Sequence, residues 1–258
     1  MSNACDTCVS GGKPDFQRFG VDIADADAVV ALAGNPNTGK TTLFNALTGL
    51  RMHVGNWPGK TVAQAIGGFK IRGRKYRLVD LPGTYSLLSN SPDEEVARDF
   101  LLFGEPDTTV VVCDSTALER HLALVLQVLE ITPKVVVALN LMDEAKKRGI
   151  ELDDRALARD LGVPVVPLSA RIGIGIPNLL DAVEAVSTGK QGRTSPREVD
   201  YGPDVEAALA PIAEQLHREY PSLKNVRWVA MRLLEGDPSV LNELRAGTLG
   251  MTTHGVTV

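Results

Sequence analysis

One short segment constrains this chain more than any other part of its sequence. Residues Gly34–Thr41 read GNPNTGKT and match the pattern G-x-x-x-x-G-K-[ST]. The apolar run Val29–Ala33 before this segment is typical of a buried strand, and Lys40–Leu47 has helical spacing. A glycine-rich turn between a strand and a helix can surround phosphate groups with backbone N–H groups. The segment therefore predicts a phosphate loop in an α/β domain.

The residue types within this loop fit the binding of a nucleoside triphosphate. Lys40 supplies a cation to the β- and γ-phosphates, and the Thr41 hydroxyl is a ligand for Mg²⁺. The other residues that we expect at the phosphates are Gly34, Asn35, Asn37, Thr38, Gly39 and Thr42. The alternative is an ordinary glycine-rich turn, which the strand-to-helix context disfavours. The loop does not choose the base of the nucleotide.

The rest of the chain continues the alternation of strand and helix. Such alternation is typical of a mostly parallel sheet with helices on both faces, as in P-loop GTPases of the Ras-like kind. The further predicted strands are Tyr76–Leu81, Thr109–Cys113, Lys134–Leu139 and Val163–Pro167. The further predicted helices are Glu94–Phe103, Ala117–Glu130, Asp154–Leu161 and Ile176–Val186. Thr61–Ile71 and Lys75–Leu81 predict a hairpin, so one strand is expected to be antiparallel.

Changes in composition divide the chain into a large domain and smaller parts. Residues 1–27 lack sustained periodicity and predict a loose, flexible leader, whereas residues 28–190 hold the alternating pattern. Residues 191–202 have the composition of a linker. Residues 203–250 have helical spacing and predict a small helical appendage, followed by a tail over residues 251–258.

Charge and cysteine content exclude several classes of function. The formal net charge is −5, so the composition argues against a nucleic-acid partner. The chain has 3 cysteines, an odd number that argues against a disulfide framework and for a reducing compartment. Its longest apolar runs are of strand length, and we expect neither a secretory signal nor a membrane span within it.

Two later segments favour guanine as the base. The sequence NLMD begins at Asn140 and SAR begins at Ser169, each after a predicted strand. The Asp143 carboxylate can accept hydrogen bonds from N1–H and the exocyclic amine of guanine, and adenine offers no such pair of donors. Asn140 would brace the neighbouring loop and reach N7, while a backbone N–H at Ser169 or Ala170 would bond O6. In this order after a phosphate loop, the segments predict a guanine site.

A further motif, DLPG, begins at Asp80 and predicts the magnesium site. In such sites the aspartate contacts Mg²⁺ through a water, and the glycine N–H, here that of Gly83, contacts the γ-phosphate. The loop Leu50–Thr61 must supply a threonine to the same place, and Thr61 at its end is the predicted residue. Both loops are expected to order with GTP and to relax with GDP.

The residue after the DLPG glycine predicts a slow reaction. The best-known small G proteins have a glutamine there, which orients the attacking water. Here the position is Thr84, followed by Tyr85, and no internal arginine finger is evident in the sequence. We therefore predict slow intrinsic GTP hydrolysis that relies on Lys40, Thr61 and Gly83.

Three segments together resemble the N-terminal cytosolic G domain of the ferrous iron transport protein B family, within the TrmE-Era-like P-loop GTPases. They are Gly34–Thr48 (GNPNTGKTTLFNALT), His53–Val62 (HVGNWPGKTV) and Asp80–Leu87 (DLPGTYSL). The NWPGxTV pattern is the discriminating one, because most related GTPases have a different loop there. The resemblance covers roughly residues 28–250.

The resemblance also carries the roles of single residues. It assigns the family's nucleotide and Mg²⁺ positions to Lys40, Thr41, Thr61, Asp80, Gly83, Asn140, Asp143 and Ser169. Asn37 matches the asparagine that helps to coordinate K⁺ in potassium-activated members, and carbonyls from Gly55 to Trp57 would complete that cation site. A cation there would neutralise charge that develops between the β- and γ-phosphates. The alternative role of Asn37 is that of a turn-forming residue.

The resemblance implies a setting for the chain. The appendage would act like a guanine-nucleotide dissociation inhibitor and connect to the membrane part of a bacterial inner-membrane Fe²⁺ transporter. The chain would then lie at the cytoplasmic face of that membrane. Its expected partners are the transmembrane region of the same transporter, small cytosolic accessory proteins of the iron-uptake system and further copies of itself.

Two other interpretations stay open at this point. A free-standing GTPase of ribosome assembly or tRNA modification would need an RNA-binding module, whereas residues 204–245 are mixed in charge and lack a G-x-x-G clamp. A GTP-binding scaffold without hydrolysis is compatible with the missing glutamine.

The cysteines are not assigned to a functional site. Cys5 and Cys8 have metal-ligand spacing but lack two further ligands, and Cys113 on an apolar strand is expected in the core.

Overall fold

The computed structural model describes residues 16–88, 91–190, 196, 199–221, 223 and 225–246. Within them one 7-stranded sheet is formed. Its strands are β1 (Ala28–Gly34), β2 (Met52–Asn56), β3 (Ala63–Ile71), β4 (Arg74–Asp80), β5 (Thr108–Asp114), β6 (Val135–Asn140) and β7 (Val165–Pro167). Their order is β2-β3-β4-β1-β5-β6-β7, and only the β2–β3 and β3–β4 pairs are antiparallel. The predicted mostly parallel sheet is confirmed.

Helices flank this sheet, as the alternating pattern predicts. Those of the large domain are α1 (Lys40–Thr48), α2 (Pro92–Asp99), α3 (Leu118–Ile131), α4 (Met142–Lys147), α5 (Asp154–Leu161) and α6 (Ile176–Ser187). The appendage contains α7 (Pro203–Glu219), α8 (Val226–Leu234) and α9 (Pro238–Ala246). No helix in the described part of the chain is long and apolar enough to cross a membrane.

The sheet is stable because its central strands are buried on both faces. Every residue of β1 and β6 is buried. Val29 and Ala31 belong to the hydrophobic cluster on one face, and Val30 and Leu32 belong to the cluster on the other. Full burial of a side chain such as Leu32 stabilises the fold by about 1.5–3 kcal/mol. Cys113 is fully buried in β5, as expected, and this burial raises its pKa to about 12.

The predicted hairpin is formed by β3 and β4. Ile71 pairs with Arg74, so only two residues connect the strands. These are Arg72 with φ 47° and Gly73 with φ 87°. Two-residue hairpin turns with positive φ at both positions match the twist of the strands. The turn therefore explains why this strand pair is antiparallel.

The prediction of a loose leader over residues 1–27 is wrong for residues 16–21. Phe16–Phe19 form a turn of 3-10 helix in which both phenylalanine side chains are buried. Val21, after this turn, is 1% exposed and belongs to the same core cluster. The segment is too short for periodicity to reveal it, and its burial depends on contacts with residues far along the chain. Cys5 and Cys8 lie outside the described residues.

Other differences occur where sequence patterns are short. The loop predicted over Leu50–Thr61 contains strand β2, whose residues are all exposed and so show no apolar alternation. Helix α2 begins before the predicted start because the Ser91 side chain accepts a hydrogen bond from Glu94 N–H at its N-terminus. Helix α4 was not predicted, since its 6 residues are too few to show a pattern.

The helical appendage packs on the large domain near α3. Leu209, Leu216 and Trp228 belong to the same core cluster as residues of the sheet. The Tyr201 hydroxyl, before α7, donates a hydrogen bond to the Glu130 carboxylate of α3. These contacts connect the appendage to a helix of the large domain.

An ion pair within the appendage predicts a pH-dependent stability. Arg227 donates hydrogen bonds of 2.7 Å to both carboxylate oxygens of Glu206. These hydrogen bonds lower the pKa of Glu206 from 4.5 to about 2. A carboxyl with a lowered pKa in the folded state stabilises the fold above its unfolded pKa, and this stability is lost as the pH falls through the folded pKa.

We therefore expect Glu206→Gln to lower the Tm of the appendage at about pH 7, and the loss to shrink as the pH falls from about 4.5 towards about 2. Thermal unfolding followed by the fluorescence of Trp228, with Trp57→Phe in the background, measures this effect. The control is Glu214→Gln, an exposed carboxylate on the same helix. A Tm loss for Glu206→Gln that is the same at all pH values contradicts the assignment.

Candidate functional site

The predicted site residues lie at one edge of the sheet. Gly34 ends β1, Asp80 ends β4 and Asn140 ends β6, and these strands run parallel. Ser169 follows the end of β7, which pairs parallel with β6. Because the carboxyl ends of parallel strands share one edge, residues far apart in sequence come together there.

The loop after β1 follows a path that its glycines permit. Gly39 has φ 81°, and a Cβ on it would lie 2.3 Å from the Asn140 side-chain nitrogen. A Cβ on Gly34 would lie 2.7 Å from the backbone carbonyl oxygen of Val112. No side chain fits at either distance. The two glycines therefore allow the loop to lie close to β5 and to Asn140.

Asn140 connects the phosphate loop with the loop after β7. Its Nδ2 donates a hydrogen bond of 2.9 Å to the Thr38 carbonyl, and its Oδ1 accepts one of 2.9 Å from Ala170 N–H. The side chain is almost fully buried, so neither bond is exchanged easily with water. Asn140 thus braces both loops, while its contact with guanine N7 stays a prediction. Thr38 is also fixed from within the loop, because its hydroxyl donates to the Asn35 carbonyl over 3.0 Å.

Lys40 and Asp80 form an ion pair at the centre of this edge. The Lys40 ammonium donates hydrogen bonds to the Asp80 carboxylate and, over 2.7 Å, to the Leu81 carbonyl. Burial raises the pKa of Asp80 above 3.8, although the adjacent Lys40 acts in the opposite direction. The two groups predicted for the phosphates and for Mg²⁺ thus neutralise each other. Binding of both ligands requires this pair to separate.

The carboxylate predicted to read the base is held in its charged form. Asp143 N–H donates to Ser169 Oγ over 3.0 Å, and the Arg171 guanidinium donates to the Asp143 carboxylate over 3.0 Å. Hydrogen bonding to Ser169 and then to Arg171 lowers the pKa of Asp143 below 3.8. Sequence reasoning missed this role of Arg171, because nothing in the pattern relates it to Asp143. An ionised Asp143 offers only acceptors, as guanine recognition needs.

The prediction that Ser169 or Ala170 offers a backbone N–H to a ligand is not met in this conformation. Ser169 N–H donates to the Ile174 carbonyl over 2.9 Å, and Ala170 N–H donates to Asn140. Both groups are used to fix the loop. A ligand contact would require Ala170 N–H to be shared with Asn140.

A cleft of about 530 Å³ opens at the phosphate loop. It is lined by Asn35, Pro36, Asn37, Gly39, Lys40, Thr41, Thr42 and Gly83. Thr41 and Thr42 are exposed, and a Cβ on Gly83 would lie 3.4 Å from Pro36. The Thr41 hydroxyl and the Asp80 carboxylate are oxygen ligands of the kind that Mg²⁺ prefers. The donor set therefore fits a magnesium–triphosphate ligand.

The structure does not bring Thr61 to this cleft. Thr61 is exposed in the turn between β2 and β3, which is closed by a 2.9 Å hydrogen bond from Trp57 N–H to the Val62 carbonyl. Ala65 pairs with Asp80 in the sheet, and Thr61 precedes Ala65 by four residues. Since β3 begins at Ala63, Thr61 lies in the turn beyond the residues of β3 that pair with β4. The loop must move for Thr61 to reach Mg²⁺.

The predicted potassium ligands are also apart in this conformation. Asn37 is exposed at the cleft with φ 65°. Gly55 lies in the edge strand β2, opposite Gln64. The Trp57 carbonyl accepts a 3.0 Å hydrogen bond from Lys60 N–H, and its side chain is buried. The structure therefore provides one of the three predicted ligands at the site.

Comparisons with known proteins agree with this geometry. A family model described as ferrous iron transport protein B matches residues 28–183, and a second, described as FeoB cytosolic helical domain, matches residues 201–252. The Fe(2+) transporter FeoB of Salmonella choleraesuis is 41% identical over 81% of this chain and 27% of its own length. An Fe(2+) transport protein A/Fe(2+) transporter FeoB fusion protein of Porphyromonas gingivalis is 41% identical over 81% of this chain and 25% of its own length.

Solved structures support the same relationship. The cytosolic domain of T. maritima FeoB in a GMPPNP form has a TM-score of 0.78 and 41% identity, with 89% of this chain and 88% of that chain covered. The cytosolic domain of L. pneumophila FeoB has a TM-score of 0.76 and 39% identity, with 85% of both chains covered. The chain spans about a quarter of the length of the curated relatives that it matches. It belongs to the ferrous iron transport protein B family and contains that family's G domain and cytosolic helical domain.

Proposed function

We propose that this chain binds Mg·GTP and hydrolyses it slowly, as the nucleotide switch of a bacterial ferrous iron transporter. The observation that carries the proposal is the pair of hydrogen bonds by which Asn140 joins the phosphate loop to the loop at Ala170. This arrangement fixes the distance between a phosphate site and a base site. Solved relatives from T. maritima in GDP and GMPPNP forms support the nucleotide.

The chain divides into functional parts in this proposal. Residues 28–190 form the G domain, 191–202 the linker and 203–250 the helical appendage, with residues 251–258 as a tail. The matches of two family models to residues 28–183 and 201–252 support this division. The appendage acts on nucleotide release, like a dissociation inhibitor, through its contact with α3.

Guanine is recognised at the ends of β6 and β7. The ionised Asp143 accepts hydrogen bonds from N1–H and the exocyclic amine, while Asn140 approaches N7 from the phosphate-loop side. Ala170 N–H, shared with Asn140, bonds O6. Adenine presents an acceptor at N1, so it would face the Asp143 carboxylate with repulsion in place of a hydrogen bond.

The triphosphate binds where Lys40 and Asp80 now pair. Lys40 turns to the β- and γ-phosphates, beside the backbone of residues 34–42. Thr41 and Asp80 would hold Mg²⁺, and Gly83 N–H would contact the γ-phosphate. When bound, Mg²⁺ neutralises charge on the phosphates. Thr61 joins the site only when its loop leaves the conformation described above, which makes this loop the sensor of the γ-phosphate.

The residues after Gly83 favour a slow reaction. Thr84 is buried and its N–H donates to the Gly34 carbonyl over 3.3 Å, so it serves the fold of the loop. Tyr85 is 56% exposed. Neither residue carries the side-chain amide that orients water in related enzymes. A K⁺ ion at Asn37, completed by carbonyls of Gly55 and Trp57 after loop movement, would compensate in part.

We expect single-turnover GTP hydrolysis in NaCl to remain far below about 5–20 s⁻¹, the rate of a stimulated small G protein. KCl is expected to accelerate it, because K⁺ at Asn37 stabilises developing negative charge. Asn37→Ala should abolish the difference between the salts while GDP binding persists. Equal rates of the natural sequence in KCl and NaCl would exclude the potassium role.

Asp143→Asn tests the guanine assignment. The substitution replaces an acceptor by a donor at guanine N1–H and removes a charge-assisted bond of about 1.5–3 kcal/mol. We expect the GTP affinity to fall about 10–100-fold and binding of xanthosine triphosphate to appear, because xanthine carries a carbonyl in place of the amine. Titration with fluorescent nucleotides measures both affinities.

Asp160→Asn, an exposed carboxylate on α5, is the matched control. Unchanged GTP affinity of Asp143→Asn would exclude this base site.

The same substitution in the whole transporter tests the cellular role. In membrane vesicles, Fe²⁺ uptake by this variant is expected to be low with GTP and to recover with xanthosine triphosphate. In that setting the chain lies at the cytoplasmic face of the inner membrane, with the transmembrane region, small accessory proteins and further copies as partners.

A further inference from the structure

Four buried aromatic side chains connect the N-terminal segment with the loop before Thr61, which we call the first sensing loop, and with the segment after α2. They are Phe16, Phe19, Trp57 and Phe100, and we call them the aromatic clamp. Phe19 lies edge-on to Trp57 at 6.3 Å and to Phe100 at 5.2 Å between ring centroids. Trp57 and Phe100 lie 5.4 Å apart, and Phe16 and Phe100 lie 6.0 Å apart. Such aromatic contacts add stability beyond the burial of their surface.

The N-terminal part of the clamp is fixed by further contacts. The Gln64 side chain, on β3, donates a 2.9 Å hydrogen bond to the Phe19 carbonyl and is buried. Val21 N–H donates to the Phe16 carbonyl over 3.0 Å, which closes the turn. A Cβ on Gly20 would lie 3.3 Å from Pro58, so the segment lies closely against the sensing loop. Residues 16–21 therefore pack directly against the first sensing loop.

The position of the clamp relates it to movement of the sensing loops. Trp57 belongs to the loop that ends at Thr61, and its backbone closes the turn that holds Thr61 away from Asp80. Phe100 directly follows α2, the helix after the DLPG segment. The clamp therefore joins the loop that ends at Thr61 to the segment after α2, and it packs in the arrangement in which Thr61 lies outside the phosphate cleft.

The indole N–H of Trp57 weakens the aromatic clamp. This N–H is buried and has no hydrogen-bond partner among the described residues. A buried hydrogen-bond donor without a partner raises the free energy of the folded state, and exposure of the donor to water removes this penalty. Departure of Trp57 from the clamp thus loses ring contacts but gains a hydrogen bond.

We propose that residues 16–21 are an intramolecular restraint on the first sensing loop, which favours the GDP-bound over the GTP-bound arrangement by holding Trp57 against Phe19 and Phe100. The inference rests on the proposed function, because it takes Thr61 as the residue that must reach the γ-phosphate side. The restraint lies upstream of residue 28, where the match to the family model begins.

Phe19→Ala in the whole chain tests the restraint. Loss of the ring contact to Trp57 is expected to tighten binding of GMPPNP about three- to tenfold, with GDP affinity unchanged. Gln64→Leu removes the bond to the Phe19 carbonyl without touching the rings and is expected to act in the same direction. Trp57 fluorescence in a Trp228→Phe background should change on addition of Mg·GMPPNP and not of Mg·GDP.

Phe69→Ala is the matched control, because it removes a ring contact of 5.2 Å to Tyr76 outside the clamp. The ratio of GMPPNP to GDP affinity should stay constant in this variant. The restraint is overturned if Phe19→Ala and Gln64→Leu both leave the ratio of GMPPNP to GDP affinity unchanged. This includes the case in which both affinities shift by the same factor. Thr61→Ala separates the two proposals: if it leaves GMPPNP affinity unaltered, the assumed role of Thr61 fails, whatever the clamp variants do.

Discussion

The two hydrogen bonds of Asn140 are the interaction on which the rest of the site depends. They fasten the phosphate loop to the loop after β7, so that residues separated by 102 and 30 positions share one rigid framework. Gly39 allows this approach, because a Cβ there would collide with the Asn140 amide. The proposed base recognition at Asp143 and phosphate binding at Lys40 require a fixed separation between the two sites. The buried amide of Asn140 fixes it.

The charges at the edge of the sheet explain how a rigid framework can still respond to a ligand. Lys40 and Asp80 satisfy each other in a partly buried place, which avoids unpaired charges. A triphosphate with Mg²⁺ offers each of them a partner of opposite sign, so the exchange conserves charge pairing. The sensing loop adds a second barrier, because Trp57 is held by the aromatic clamp. In the proposed switch, the electrostatic exchange and the loop movement together would separate the GDP-bound from the GTP-bound arrangement.

Motifs at strand ends made much of the site predictable from sequence. The phosphate loop, DLPG and NLMD segments follow buried strands whose apolar runs are visible, and their chemistry is set by few residue types. The docking of Phe16 and Phe19 was not predictable, because it depends on contacts with Trp57 and Phe100 far along the chain. Strand β2 was missed because its residues are all exposed. The pairing of Arg171 with Asp143 likewise arises from tertiary proximity and has no local pattern.

The most direct test of the account is the GDP affinity of Asn140→Ala, measured together with its thermal unfolding. Removal of the amide leaves the Thr38 carbonyl and Ala170 N–H without their partner, at a cost of about 1–3 kcal/mol each. We expect the variant to fold, with a lower Tm and with a GDP affinity that is at least about tenfold lower. GDP affinity equal to that of the natural sequence in a folded Asn140→Ala variant would contradict the claim that this residue holds the site together.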